Sequence, residues 1–157
     1  MSGDTDLPHG LCFNCSMSAD TVVNEGYCFK VADLLTNAEK YFYKVLVEAV
    51  SDLNVSIHCK VRLADLFVSE KLCRDDFVKA GLLHLDFVLC DKRFFRPLLV
   101  VELDDASHDR VDSQLKDDFK DWLLLQVNLF VVRVSVSAVY DVEILRYRLR
   151  EYLGKVY

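Results

Sequence analysis

"HLDFVLCDKRFFRPLLVVELDD", residues 84–105, decides the fold. Residues 82–90 and 97–104 read as two strands, and 91–96 between them is a polar and aromatic turn. Pro97 sits at the first position of its strand, where a missing N–H is tolerated. Two strands joined by so short a turn form an antiparallel hairpin. The second strand runs into "VVELDDASH", 100–108, which sets Glu102, Asp104, Asp105 and His108 at the end of an apolar run. Acids there are costly unless something neutralises them.

A turn centred near Phe94 sets Asp86 opposite Glu102. Opposed residues share a face of the sheet, and Asp104, two residues past Glu102, points the same way. Like charges so placed need a counter-ion. A divalent cation is one solution, and clustered carboxylates suit Mg²⁺ or Mn²⁺ rather than zinc. Plainer roles stand beside it. Asp104 and Asp105 can cap the next helix, and Glu102 can pair with Arg133 or Lys60 on neighbouring strands.

Working outward, Ala38, Phe42, Val45, Leu46, Ala49 and Leu53 fall on one helical face, and Thr36 with Glu39 fits a capping box. A helix therefore begins near residue 37, and Glu39 has a plain duty in its cap. Residues 55–63 alternate as a strand, and 75–81 form a short helical turn that stops at Gly81. After the hairpin, Val111, Leu115, Phe119, Trp122 and Leu123 recur at helical spacing. Residues 129–136 form a strand apolar enough to be interior, and 139–154 close as an amphipathic helix. A long helix between the last two strands implies a parallel pair with a right-handed crossover. The fold class is α/β, a mixed sheet of about four strands flanked by helices. Residues 1–32 show no period and read as a loosely ordered arm, with the domain over 33–157.

The 157 residues are 52% hydrophobic and 28% charged, enough for one domain with its own core. No apolar run is long enough to cross a membrane, and the acidic, polar N-terminus does not read as a signal peptide. A cytoplasmic setting with reduced cysteines is expected. The net charge of −6 argues against a protein held on nucleic acid by bulk charge alone. It does not exclude a nuclease, because metal-binding carboxylates make the metal-free chain more acidic. Cys12 and Cys15 form a Cys-x-x-Cys pair, and His9 and Cys28 could complete a zinc site in the arm. Cys59, Cys73 and Cys90 read as small hydrophobes. In "KRFFR", 92–96, cations and aromatics mix as they do where bases stack, but the preferred reading folds Phe94 and Phe95 back onto the sheet. Arg146, Arg148, Arg150 and Lys155 read as a solvated face, and His84 as a packed histidine.

"LTNAEKYFYKVL", "KVRLADL", "HLDFVLCD" and "VELDDASH" resemble a bacterial domain-of-unknown-function family that groups with the very-short-patch-repair-like endonucleases of the PD-(D/E)XK superfamily. The likeness covers about residues 33–150 and implies a restriction-endonuclease-like fold. It implies that Asp86, Glu102 and the main-chain carbonyl of Leu103 hold the metal, Mg or Mn, with Asp104 as a further candidate ligand. It implies that Glu39 reaches the metal through water and that His108 relays a proton or contacts the scissile phosphate. The superfamily's Glu-x-Lys is Glu102-Leu103-Asp104 here, so the usual lysine is missing, and Lys60 or Lys120 is the substitute to look for. Lys120 itself reads as part of a solvated row with Asp112 and Lys116. The function implied is metal-dependent hydrolysis of DNA phosphodiester bonds by an endonuclease. The alternatives are an inactive nucleic-acid-binding or protein-interaction module on the same fold, and a small zinc-stabilised regulator.

Overall fold

The computed structural model describes residues 22–24, 27–69, 72–104 and 111–154, the side chains within 22–29 and 111–114 excepted. The chain divides after Leu34 into two units. In the first, β1 (Val22–Asn24) pairs antiparallel with β2 (Tyr27–Phe29), Val23 opposite Cys28. The sequence shows no period over this stretch, because three residues are too few for a period of two to register.

The second unit opens with α1 (Asn37–Ala49). The Thr36 hydroxyl accepts from the Glu39 amide at 3.3 Å, and the Thr36 amide donates to Glu39 Oε2 at 2.8 Å, so two otherwise unpaired N–H groups are satisfied together. Next come β3 (Val55–Arg62), a 3₁₀ turn over Leu63–Leu66, α2 (Arg74–Gly81), β4 (His84–Asp91) and β5 (Pro97–Asp104). The unit closes with α3 (Val111–Gln126), β6 (Phe130–Ser135) and α4 (Val142–Leu153). The sheet order is β3-β4-β5-β6, with β3 and β5 antiparallel to β4 and β6 parallel to β5. It is a mixed four-stranded sheet flanked by helices, an α/β fold.

The hairpin register sets Phe87 opposite Val101, Val88 opposite Val100 and Leu89 opposite Leu99. It then shifts, so that Cys90 faces Pro97. The irregularity falls where proline has no N–H to give the ladder. On one face Phe42, Leu46, Phe87, Leu99, Val101 and Leu149 pack together, joining α1 and α4 to the sheet. Phe42 is the centre of this layer, its ring 5.7 Å from Phe87 and 5.1 Å from Tyr140. On the other face Leu63, Leu85, Val88, Val100, Leu123 and Leu124 form a second core under α3.

Three sequence expectations fail here. β6 is an edge strand, not an interior one, because among the described residues nothing pairs on its far side. Leu115 and Trp122 are exposed; Leu123 is buried as its spacing implies, with Leu124 beside it. Cys73 is exposed and caps α2, its sulfur accepting from the Asp76 amide at 3.4 Å.

Candidate functional site

Three strands and two helices converge on two acid–lysine groups. The register carries Asp86 of β4 to the level of Glu102 and Leu103 on β5. The Asp86 side chain reaches that strand, where its Oδ2 accepts from the Leu103 amide at 3.1 Å. From the other side, β3 brings in Lys60, whose ammonium lies 2.8 Å from Asp86 Oδ1 and 2.6 Å from Glu39 Oε1. Glu39 thus serves the α1 cap with one oxygen and Lys60 with the other. Burial acts to lower the Lys60 pKa, but its hydrogen bonds to Asp86 and Glu39 outweigh this and raise it. Burial acts to raise the Glu39 pKa, and the bonds from Lys60 and Thr36 win, leaving it lowered. Lys60 does this from a left-handed backbone, with φ 53°. A lysine pays strain there that glycine would not.

The second group is Glu102 with Lys120. Lys120 rises from α3 to put its ammonium 3.3 Å from Glu102 Oε2 and 2.9 Å from Asp117 Oδ1. Its side chain is 14% exposed, which corrects the reading of a solvated row. Glu102 is buried at 7% exposure, and its Oε1 has no hydrogen-bond partner. Burial pushes its pKa up to about 7, against the Lys120 ammonium and with help from the Asp86 charge. The bond from the Leu103 amide to Asp86 Oδ2 sets that carboxylate one residue along β5 from Glu102. Charge repulsion plus an orphaned carboxylate oxygen is the arrangement that a cation relieves.

Asp104 ends β5, exposed, with its carbonyl accepting from the Val136 amide at 2.8 Å. Among the described residues no group of three or more His, Cys, Asp or Glu side chains gathers at one point. Glu102 pairs with neither Arg133 nor Lys60: Arg133 is taken by Asp121 at 2.6 Å. His84 is exposed rather than packed. His108, Asp105, His9, Cys12 and Cys15 lie outside the described residues, as does the side chain of Cys28. Lys60 and Lys120, the two substitutes the sequence offers for the missing lysine, are the two that reach the acids; which lysine meets which acid is set by the sheet order.

Two peripheral readings also change. Arg146 does not face solvent; its guanidinium donates to the carbonyls of Ala49 at 3.2 Å and Glu48 at 2.9 Å, closing the C-terminal end of α1. Arg150 pairs with Asp52. Phe94 and Phe95 stand 63% and 64% exposed, and of the fold-back onto the sheet only the edge-on contact of Phe95 with His58 of β3 is seen.

The chain belongs to DUF2726, a family of proteins of unknown function, whose model matches residues 31–153. No curated protein and no solved structure matches it.

Proposed function

We propose that this DUF2726 domain is a divalent-metal-dependent nuclease that hydrolyses DNA phosphodiester bonds. The observation that carries the reading is the buried, unpartnered Oε1 of Glu102 beside the Asp86 carboxylate. The likeness of "HLDFVLCD" and "VELDDASH" to the very-short-patch-repair-like endonucleases supports it. The donors fit a hard cation: Asp86, Glu102 and the Leu103 carbonyl are all oxygens, the kind that Mg²⁺ and Mn²⁺ take. They would hold the ion, with Asp104 next along the strand. Once bound, such an ion supplies Lewis-acid stabilisation of the charge that builds on a scissile phosphate.

The chain's own groups divide the remaining work. Lys120 ties down one oxygen of Glu102 and leaves the other open. Lys60 holds Asp86 in place and has ammonium protons to offer a water or a phosphate oxygen, the duty of the lysine absent from position 104. Glu39 keeps Lys60 charged and aimed. His108 would relay a proton or contact the scissile phosphate.

A second reading has an observation of its own. Each acid already has a lysine, and such pairs can neutralise a decayed site without metal. That would leave a catalytically inactive nucleic-acid-binding or protein-interaction module. Nicking of supercoiled plasmid with Mg²⁺ or Mn²⁺, comparing wild type with Asp86→Ala at matched purity, separates the two. Metal-dependent nicking lost in Asp86→Ala is expected. Equal nicking by both proteins, or no cleavage together with no Mn²⁺ binding, would overturn the hydrolase reading.

A further inference from the structure

We propose that the β4–β5 turn is a binding tip for single-stranded nucleic acid, with Phe94 and Phe95 as stacking platforms and Lys92, Arg93 and Arg96 as phosphate contacts. The choice of nucleic acid as occupant rests on the hydrolase reading; the geometry is the turn's own.

Phe95 holds a left-handed backbone, φ 55°, at a place in the turn where glycine or asparagine is the unstrained choice. A bulky residue there is a cost to folding, and burial does not offset it, because the side chain is 64% exposed. Phe94 is as exposed, and it lies under two guanidinium groups, Arg93 at 4.9 Å and Arg96 at 5.9 Å from its centroid. An aromatic face flanked by cations is the arrangement that takes a base and its phosphate together.

The charge of the turn is left free for a ligand. Its one acid, Asp91, turns Oδ1 inward to accept from the amides of Arg93 at 2.9 Å and Phe94 at 2.7 Å. Among the described residues Lys92, Arg93 and Arg96 make no ion pair, nor do the separate Arg74 and Arg148, whereas Arg62, Lys120, Arg133, Arg146 and Arg150 each have a carboxylate. In a chain of net charge −6, three free cations within five residues reverse the local sign.

The tip also connects to the acids. The Phe95 ring stands 6.0 Å edge-on from His58 of β3, and His58 Nε2 is 3.0 Å from Ser56 Oγ. His58 is paired with Val88, two residues from Asp86, and lies two residues from Lys60, roughly 7 Å along the strand. A row of stacking and hydrogen-bonding groups thus runs along the edge strand β3 from the turn toward Lys60 and Asp86. Stacking platforms need bases that are not already stacked in a duplex, so the occupant is a single strand.

The test is fluorescence anisotropy with the full chain in EDTA, using a labelled single strand of about twelve nucleotides and the matching duplex. Wild type should bind the single strand more tightly than the duplex. Phe94→Ala and Phe95→Gly should each weaken binding about tenfold. Phe95→Gly should at the same time raise the melting temperature, because it relieves the strained turn, so lost binding cannot be lost fold. Arg93→Glu should weaken binding and flatten its salt dependence more than Lys44→Glu, an equal charge change on an exposed face of α1. No binding by wild type, a preference for duplex, wild-type affinity in Phe95→Gly, or equal effects of Arg93→Glu and Lys44→Glu would each overturn the tip. Because metal is absent, failure of the hydrolase reading shows up separately, as intact binding without nicking.

Discussion

Lys60 and Asp86 meet across the β3–β4 pair with 2.8 Å between ammonium and carboxylate, and Lys60 accepts a left-handed backbone to be there. The same ammonium holds Glu39 at 2.6 Å, so removing it would leave two partly buried acids facing each other. Lys60→Met should therefore destabilise the domain by about 2 kcal/mol, mostly through carboxylates left uncompensated. Urea unfolding of Lys60→Met, Asp86→Asn and the double variant checks it. A coupling energy near zero would mean that the contact contributes nothing to the fold.

Glu102 makes stability depend on pH in a stated direction. Its folded pKa is about 7 against an ordinary 4.5, so the folded state binds the proton more tightly. The resulting stabilisation is full below about pH 4.5 and is lost as pH rises through about 7. Glu102→Gln carries no such proton. In EDTA, its stability relative to wild type should rise by about 3 kcal/mol between pH 4.5 and pH 8. Parallel curves for the two proteins would show that Glu102 titrates normally.

Thr36→Ala should cost about 1 kcal/mol through loss of the capping box. Thr36→Ser, which keeps the hydroxyl, should recover most of it. Since Glu39 uses one oxygen for this cap and the other for Lys60, nicking should also fall in Thr36→Ala and return in Thr36→Ser. Thermal unfolding and initial nicking rates together check this; unchanged nicking in Thr36→Ala would separate the cap from the site.

Arg146 supplies from α4 the positive charge that the last turn of α1 lacks. Arg146→Ala should destabilise by about 1–2 kcal/mol, taking the guanidinium donor from the Ala49 carbonyl and leaving Glu48 only its backbone donor, the Ser51 amide. Arg148→Ala, an exposed neighbour on the same helix, should cost far less. Denaturant midpoints for the two variants decide it, and equal losses would contradict the capping role.

The sheet was legible because periodicity and turn chemistry are local signals. The antiparallel hairpin, the parallel crossover and the start of α1 all follow from spacing and from Thr36 and Glu39. What spacing could not give was sheet order. β6 has an apolar composition suited to an interior strand, yet nothing in its own residues says how many neighbours it has. The same limit applied to the site. Asp86 and Glu102 were visible as residues at matched levels of one hairpin, whereas Lys120 reaches Glu102 only because α3 crosses that face of the sheet. The turn went astray for a different reason. Apolar side chains default to burial, and neither the left-handed φ of Phe95 nor the exposed seat of its ring against the edge of His58 leaves a mark in the sequence.

The most direct test is the binding of Mn²⁺ by the wild-type chain and by Glu102→Gln, followed by calorimetry at pH 8, where Glu102 is ionised. One Mn²⁺ per chain, displaced by Mg²⁺ and lost in Glu102→Gln, is the expected result. It would mean that the open Oε1 of Glu102 is a ligand oxygen. No Mn²⁺ bound by wild type, or equal binding by both proteins, would contradict a metal site at Asp86 and Glu102.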